Sequence, residues 1–123
     1  MNRDIRAAFY SDAHAGYPGT NSKAVSWFLV TQDIPIQYAV GDMVDSWAGC
    51  NEWPRAWTFN PHTVLIQGNH DPKGFGSPWA FHRTKAGMRL LVIHGHQFDP
   101  QLQWGPLAWI LARTGAEFND WLM

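Results

Sequence analysis

Four short apolar runs mark the chain, and each stops abruptly at polar, chemically active residues. Residues 5–10, 34–40, 63–67 and 88–93 are apolar stretches of strand length, and each reads as a strand of a core sheet. Between the first two, Ala24, Val25, Phe28 and Leu29 recur at helical spacing, with Asn21 or Ser22 as the cap, so a helix is expected to run to about Thr31. Pro35 belongs at the start of the second strand, because proline cannot donate to a central ladder. Residues 44–50 read as a loop or short turn, and residues 52–59 as a weak helix. The order is β-α-β-α-β, which is the signature of parallel strands with crossover helices. After Asp71 the texture changes. Residues 72–78 are loop, and residues 79–85 and 88–93 flank Ala86-Gly87 as a hairpin, so the last two strands are expected to pair antiparallel in a second sheet. Residues 102–113 and 116–123 read as C-terminal helical segments separated by Thr114-Gly115. The fold class is α/β, in one domain over residues 1–123.

Composition narrows the picture. Hydrophobic residues make up 46% and charged residues 15%, which excludes a disordered chain. The net charge of -1 without a basic stripe argues against a dedicated nucleic-acid surface. The single cysteine, Cys50, forbids an internal disulfide and fits a reducing compartment, and no partner pattern marks it as a nucleophile. No apolar run approaches the ~18 residues of a transmembrane segment, and the first six residues lack the apolar stretch of a signal peptide. A cytoplasmic location is expected. Eight tryptophans read first as core packing, and otherwise as a surface for a lipid or a protein.

The chemistry sits where the strands end. Asp12-Ala-His14 follows the first strand, and Gly41-Asp42-Met-Val-Asp45 follows the second. Gly68-Asn69-His70-Asp71 follows the third, and His94-Gly95-His96 the fourth. Open α/β sheets gather such loops at one edge, where ligands bind. Carboxylates, an amide and imidazoles collected there are donors for Mn, Fe, Zn or Mg. Asp12, Asp42 and Asn69 are each roughly 30 residues apart, the length of a βα repeat. Asp45 reads as a residue that orients its loop. His62 reads as exposed loop, and His82 as a structural part of the hairpin.

These motifs resemble the calcineurin-like metallophosphoesterase superfamily, with its Asp-x-His, Gly-Asp-x-x-Asp, Gly-Asn-His-Asp/Glu and later His. Gly41-Asp-Met-Val-Asp-Ser-Trp47 and the His-Gly-His stretch most resemble the branch that contains UDP-2,3-diacylglucosamine pyrophosphohydrolases. The resemblance spans about residues 5 to 100. It implies a shortened form of the family's sandwich and a hydrolase acting on a phosphomonoester, phosphodiester or pyrophosphate bond through a metal-bridging hydroxide. Its substrate would be a phosphate-containing small molecule or nucleotide. It implies two divalent metal ions, Mn2+ first, with Fe, Zn, Mg, Ni or Co as alternatives. Asp12 and His14 would bind one ion, Asn69 and His94 the other, and Asp42 would bridge them. His70 would stand by the leaving group, with Asp71 orienting its imidazole.

The sequence departs from the family in one respect: it contains no second Gly-His-x-His, and Phe98 stands where a ligand is expected. Three readings stay open. His96 and water fill the gap, a second subunit supplies groups, or the chain is a catalytically reduced metal- or phosphate-binding protein that acts through a partner. The crowding of Leu102, Trp104, Leu107, Trp109, Phe118 and Trp121 into the last residues leads to an expected two-fold homodimer.

Overall fold

The computed structural model describes residues 5–31, 33–57 and 62–99. Three parallel strands form the centre: β1 (Ala7–Tyr10), β2 (Ile36–Val40) and β3 (Thr63–Ile66). They lie in the order β1-β2-β3, with Phe9 opposite Tyr38 and Tyr38 opposite Val64. A hairpin of β4 (Ala80–Arg83) and β5 (Arg89–Val92) forms the second, antiparallel sheet. The parallel pairing of the first three strands and the antiparallel pairing of the last two match the expectation from the sequence. β2 begins at Ile36, just after Pro35, and the Ile36 amide donates to the Arg6 carbonyl at 3.2 Å. The missing proline N–H sets that boundary two residues later than the apolar run suggests.

Strand alternation sorts β2 into two faces. Ala39 points to one side, where α1 (Ser22–Thr31) contributes Leu29 and Val25 to a cluster with Met43, Val44 and Trp57. Tyr38 and Val40 point to the other, where they meet Ile66, Val92 and Ala80. Helix, parallel sheet and hairpin are therefore stacked layers. Asn21 caps α1, its Oδ1 accepting from the Ala24 amide at 3.0 Å. His82 is structural, as the sequence indicates. Its Nδ1 lies 3.1 Å from the Tyr38 hydroxyl, and its ring meets Phe9 and Tyr38 edge-on.

The second crossover differs from expectation. Over residues 52–57 the chain makes a turn, with the Trp57 amide donating to the Pro54 carbonyl at 2.9 Å, and no α-helix. Pro54 lacks an N–H and steers Trp53 away from helical backbone. Trp53 and Trp57 pack edge to face instead, with ring centroids 5.7 Å apart. A single turn of 3-10 helix, Ser46–Ala48, follows β2. The tryptophans divide: Trp57 is core, whereas Trp27 and Trp79 are exposed. The expected C-terminal helical segments, and the dimer face built on them, lie outside the described residues. No helix among the described residues is long and apolar enough to cross a membrane.

Candidate metal centre

The loops after β1 and β2 run side by side beyond the sheet. The amides of Asp12, His14 and Ala15 donate to the carbonyls of Gly41, Asp42 and Met43 at 2.9–3.0 Å. This pairing sets Asp12 and His14 beside Asp42. All three take left-handed backbone, with φ of 60°, 48° and 52°. Such values are uncommon away from glycine, and surrounding structure must hold them.

Asp71 does much of that holding. It is buried, and its two oxygens accept from the amides of Asp42, Met43, Val44 and Gly68 at 2.8–3.0 Å. It thus ties the loop after β3 to the loop after β2. The two motif glycines answer to the same crowding. A Cβ on Gly68 would collide with the Asp42 amide and Oδ1, and one on Gly41 with the His94 ring.

The side chains then converge. His14 Nε2 lies 3.6 Å from Asp12 Oδ1 and 3.7 Å from Asp42 Oδ2. His94 Nε2 lies 3.7 Å and 3.5 Å from the same two oxygens. These gaps are wider than hydrogen bonds. They fit donors arranged around a shared cation: two ligands ~2.0–2.1 Å from one ion at a tetrahedral angle stand ~3.4 Å apart. Two sets of donor atoms each lie within 4.8 Å of one another, His14 with Asp42 and His70, and Asp12 with Asp42 and His94. Asp42 belongs to both. Its other oxygen, Oδ1, accepts from the His70 amide at 2.8 Å, which fixes Oδ2 toward the imidazoles. The donor set is imidazole and carboxylate, suited to divalent transition metals.

Asp45 plays a larger part than its sequence position shows. Its Oδ2 lies 3.1 Å from His14 Nδ1 and 3.2 Å from His70 Nδ1, while its Oδ1 accepts from the Ala48 amide. Burial pushes the Asp45 carboxyl up, but the imidazoles of His70 and His14 outweigh it and hold the group below the usual carboxylate range. The structure thus gives Asp45, and not Asp71, the place against the His70 ring. Asp71 serves the backbone. Trp47 closes one face of that ring, with centroids 3.8 Å apart. Nothing in the sequence flags Trp47 in this part. The sequence reading of Asp45 as a residue that orients its loop holds in its bond to the Ala48 amide, whereas its contacts with the two imidazoles were not legible.

His94 and His96 pair with each other, Nδ1 to Nδ1 at 3.1 Å. His96 therefore stands behind His94 and joins neither donor set. Burial and the adjacent His94 push its imidazole below its ordinary value, against the pull of Asp42 and Asp71. Asn69 is half-buried in the bend that carries His70, and neither donor set, drawn from His, Cys and carboxylate side chains, includes it.

An open cleft of about 560 Å³ adjoins the site. Asp12, His14 and His70 form one wall, and Tyr17, Thr20 and Val25 line it as well. The Thr20 hydroxyl donates to the His14 carbonyl at 2.6 Å, which holds that side of the cleft to the site. No protein-family model, no curated protein and no solved structure matches the chain.

Proposed function

We propose that this chain hydrolyses a phosphoester or pyrophosphate bond with the help of two divalent metal ions, Mn2+ foremost. One observation carries the reading: the Asp42 carboxylate is common to two sets of His and Asp donors, of which Asp12, His14 and His70 line an open cleft. A shared carboxylate neutralises two adjacent cations at once, and two-metal sites serve phosphoryl transfer. The resemblance of the four loop motifs to calcineurin-like phosphoesterases points the same way. Asp12, His14, Asp42 and His94 would hold the ions. When bound, divalent ions supply charge for the phosphoryl oxygens and lower the pKa of water toward neutrality.

The rest of the work belongs to the chain. Asp71 fixes the Asp42 backbone, Asp45 orients the imidazoles, and His96 seats His94. The cleft beside Tyr17 admits the substrate's leaving group. Protein purified without chelator should turn over p-nitrophenyl phosphate or bis-p-nitrophenyl phosphate. The activity should vanish with EDTA and return with Mn2+. Bound metal without turnover of either ester would favour the catalytically reduced, partner-dependent role. Absence of metal binding would remove the proposal.

A further inference from the structure

We propose that the outer face of the β4–β5 hairpin docks on an anionic lipid bilayer, with its aromatic and aliphatic side chains at the acyl boundary and its arginines on the lipid phosphates. Docking of this kind does not depend on the two metal ions proposed above. Charge is unevenly distributed along the chain. Between Asp71 and Asp99 lie Lys73, Arg83, Lys85 and Arg89 and no acidic residue. All ten acidic residues fall outside that stretch, together with the other five of the nine basic ones. The net charge of -1 thus conceals a basic hairpin on an acidic remainder.

Strand alternation sorts the hairpin into two faces. Ala80 and Val92 face the parallel sheet, where they join Tyr38 and Ile66, and His82 reaches the Tyr38 hydroxyl on the same side. Phe81 pairs with Leu91, and Arg83 with Arg89, on the opposite face. Phe81 is 48% exposed and Leu91 54%. Trp79, 51% exposed, extends the row, its ring centroid 5.2 Å from that of Phe81.

The two arginines call for a partner. Like charges directly opposite each other destabilise a sheet. The hairpin offers no carboxylate to separate them, and the Arg89 guanidinium lies over the Phe81 ring at 4.6 Å. Phosphate oxygens would relieve the repulsion, because a guanidinium binds them in pairs. The apolar row narrows the source of phosphate to a lipid. Aromatic and aliphatic side chains beside cations suit the headgroup boundary of a bilayer. A nucleic-acid strand, bound by charge and stacking, gives Leu91 nothing to bury in.

Co-sedimentation of the full chain with vesicles tests the proposal. Vesicles of phosphatidylcholine with an equal part of phosphatidylglycerol should take up the protein, and vesicles of phosphatidylcholine alone should not. Arg83→Gln combined with Arg89→Gln should weaken uptake roughly 30-fold, from about 1 kcal/mol for each basic residue near the surface. Leu91→Ser should weaken it as well, whereas Lys23→Gln, on α1, should leave it unchanged. Thermal unfolding matched to wild type shows that the variants fold. Brominated acyl chains should quench the protein's fluorescence, and Trp79→Phe should lose part of that quenching. Equal uptake by neutral and anionic vesicles, or unchanged uptake in the folded double arginine variant, would overturn the proposal. Displacement from the vesicles by single-stranded DNA that binds through the same two arginines would assign the face to nucleic acid instead. No uptake at all, as when residues 100–123 or a second copy of the chain cover the face, would overturn it too.

Discussion

The hairpin turn and the loops of the site both take left-handed backbone, and they fill three site positions and the hairpin position in opposite ways. At the hairpin between β4 and β5, the chain places Gly87 at φ 86°. There the Gly87 amide donates to the Thr84 carbonyl, the Met88 amide donates to Thr84 Oγ1, and a Cβ would meet nothing within 4 Å. Beside the sheet, the same region of backbone is occupied by Asp12, His14 and Asp42. An L residue there is disfavoured by roughly 1–2 kcal/mol, less for Asp and Asn. The hairpin turn uses glycine and carries no chemistry. The site forgoes glycine at three positions, and each of those positions bears a carboxylate or an imidazole. Strain of this kind persists only where neighbouring bonds over-determine the backbone, as Asp71 and the paired loops do here.

The largest effect should come from Asp42→Asn. Asparagine keeps the acceptor for the His70 amide and nearly the same shape, but it removes the charge shared by both donor sets. Affinity for both ions should fall by more than the ~10–100-fold that loss of an outer partner brings. Metal analysis after dialysis should find the variant empty, while the hairpin signals in its NMR spectrum stay unchanged. Retention of two tightly held ions would show that Asp42 is not shared.

Next in size is Asp71→Ala. Four buried amides would lose a charged acceptor together, so unfolding free energy should drop by roughly 3 kcal/mol or more. Thr84→Ala breaks one exposed bond in the hairpin and should move stability by less than about 0.5 kcal/mol. Urea midpoints of the two variants measure the contrast. Equal shifts would mean that the site loops are no more tightly built than the hairpin.

Much of this was legible in the sequence, for physical reasons that differ by region. Apolar runs ending at Asp12, Asp42, Asn69 and His94 fixed three parallel strands, a hairpin and the sheet edge at which the motifs meet, because strand burial depends on local pattern. The weak helix expected over residues 52–59 failed over residues 52–57, where Pro54 and the Trp53–Trp57 packing outweigh propensity. Partner choice inside the site was not legible. Asp45 and Asp71 are both buried carboxylates, and which one faces His70 depends on how two loops pack. Spacing along the chain holds no record of that. For the same reason, His96 reads as a ligand in sequence and stands behind His94 in the fold.

His96 yields a pH dependence with a definite sign. Its folded imidazole lies below the ordinary value of ~6.5, so near that pH the unfolded chain binds more protons than the folded one. Stability then rises with pH. The contribution is complete above ~6.5 and is lost as the metal-free protein is acidified through that range. It levels off below the folded value. Melting temperature followed from pH 8 to pH 5 should show this fall, and His96→Gln should flatten it. An unchanged slope in the variant would assign the acid sensitivity to other groups.

The smallest effects test the backbone contrast itself, and their signs matter more than their sizes. Asp12→Gly relieves left-handed strain of at most ~1–2 kcal/mol, while the added freedom of the unfolded chain offsets about 0.5–1 kcal/mol. It also removes a carboxylate that faces the same imidazoles as Asp42. The metal-free variant should therefore be slightly more stable than wild type, by up to about 1 kcal/mol, although it loses metal affinity. Gly87→Ala runs the other way. It imposes the same strain where φ is 86° and gains back only the unfolded-state term, so it should lose about 0.5–1 kcal/mol with metal binding untouched. Chemical denaturation in EDTA compares the pair directly. If Asp12→Gly destabilises the metal-free protein as much as Gly87→Ala does, the Asp12 backbone is relaxed and the site stores no strain there. Opposite signs would mean that the chain accepts an unfavourable backbone at Asp12 in order to keep its carboxylate at the centre.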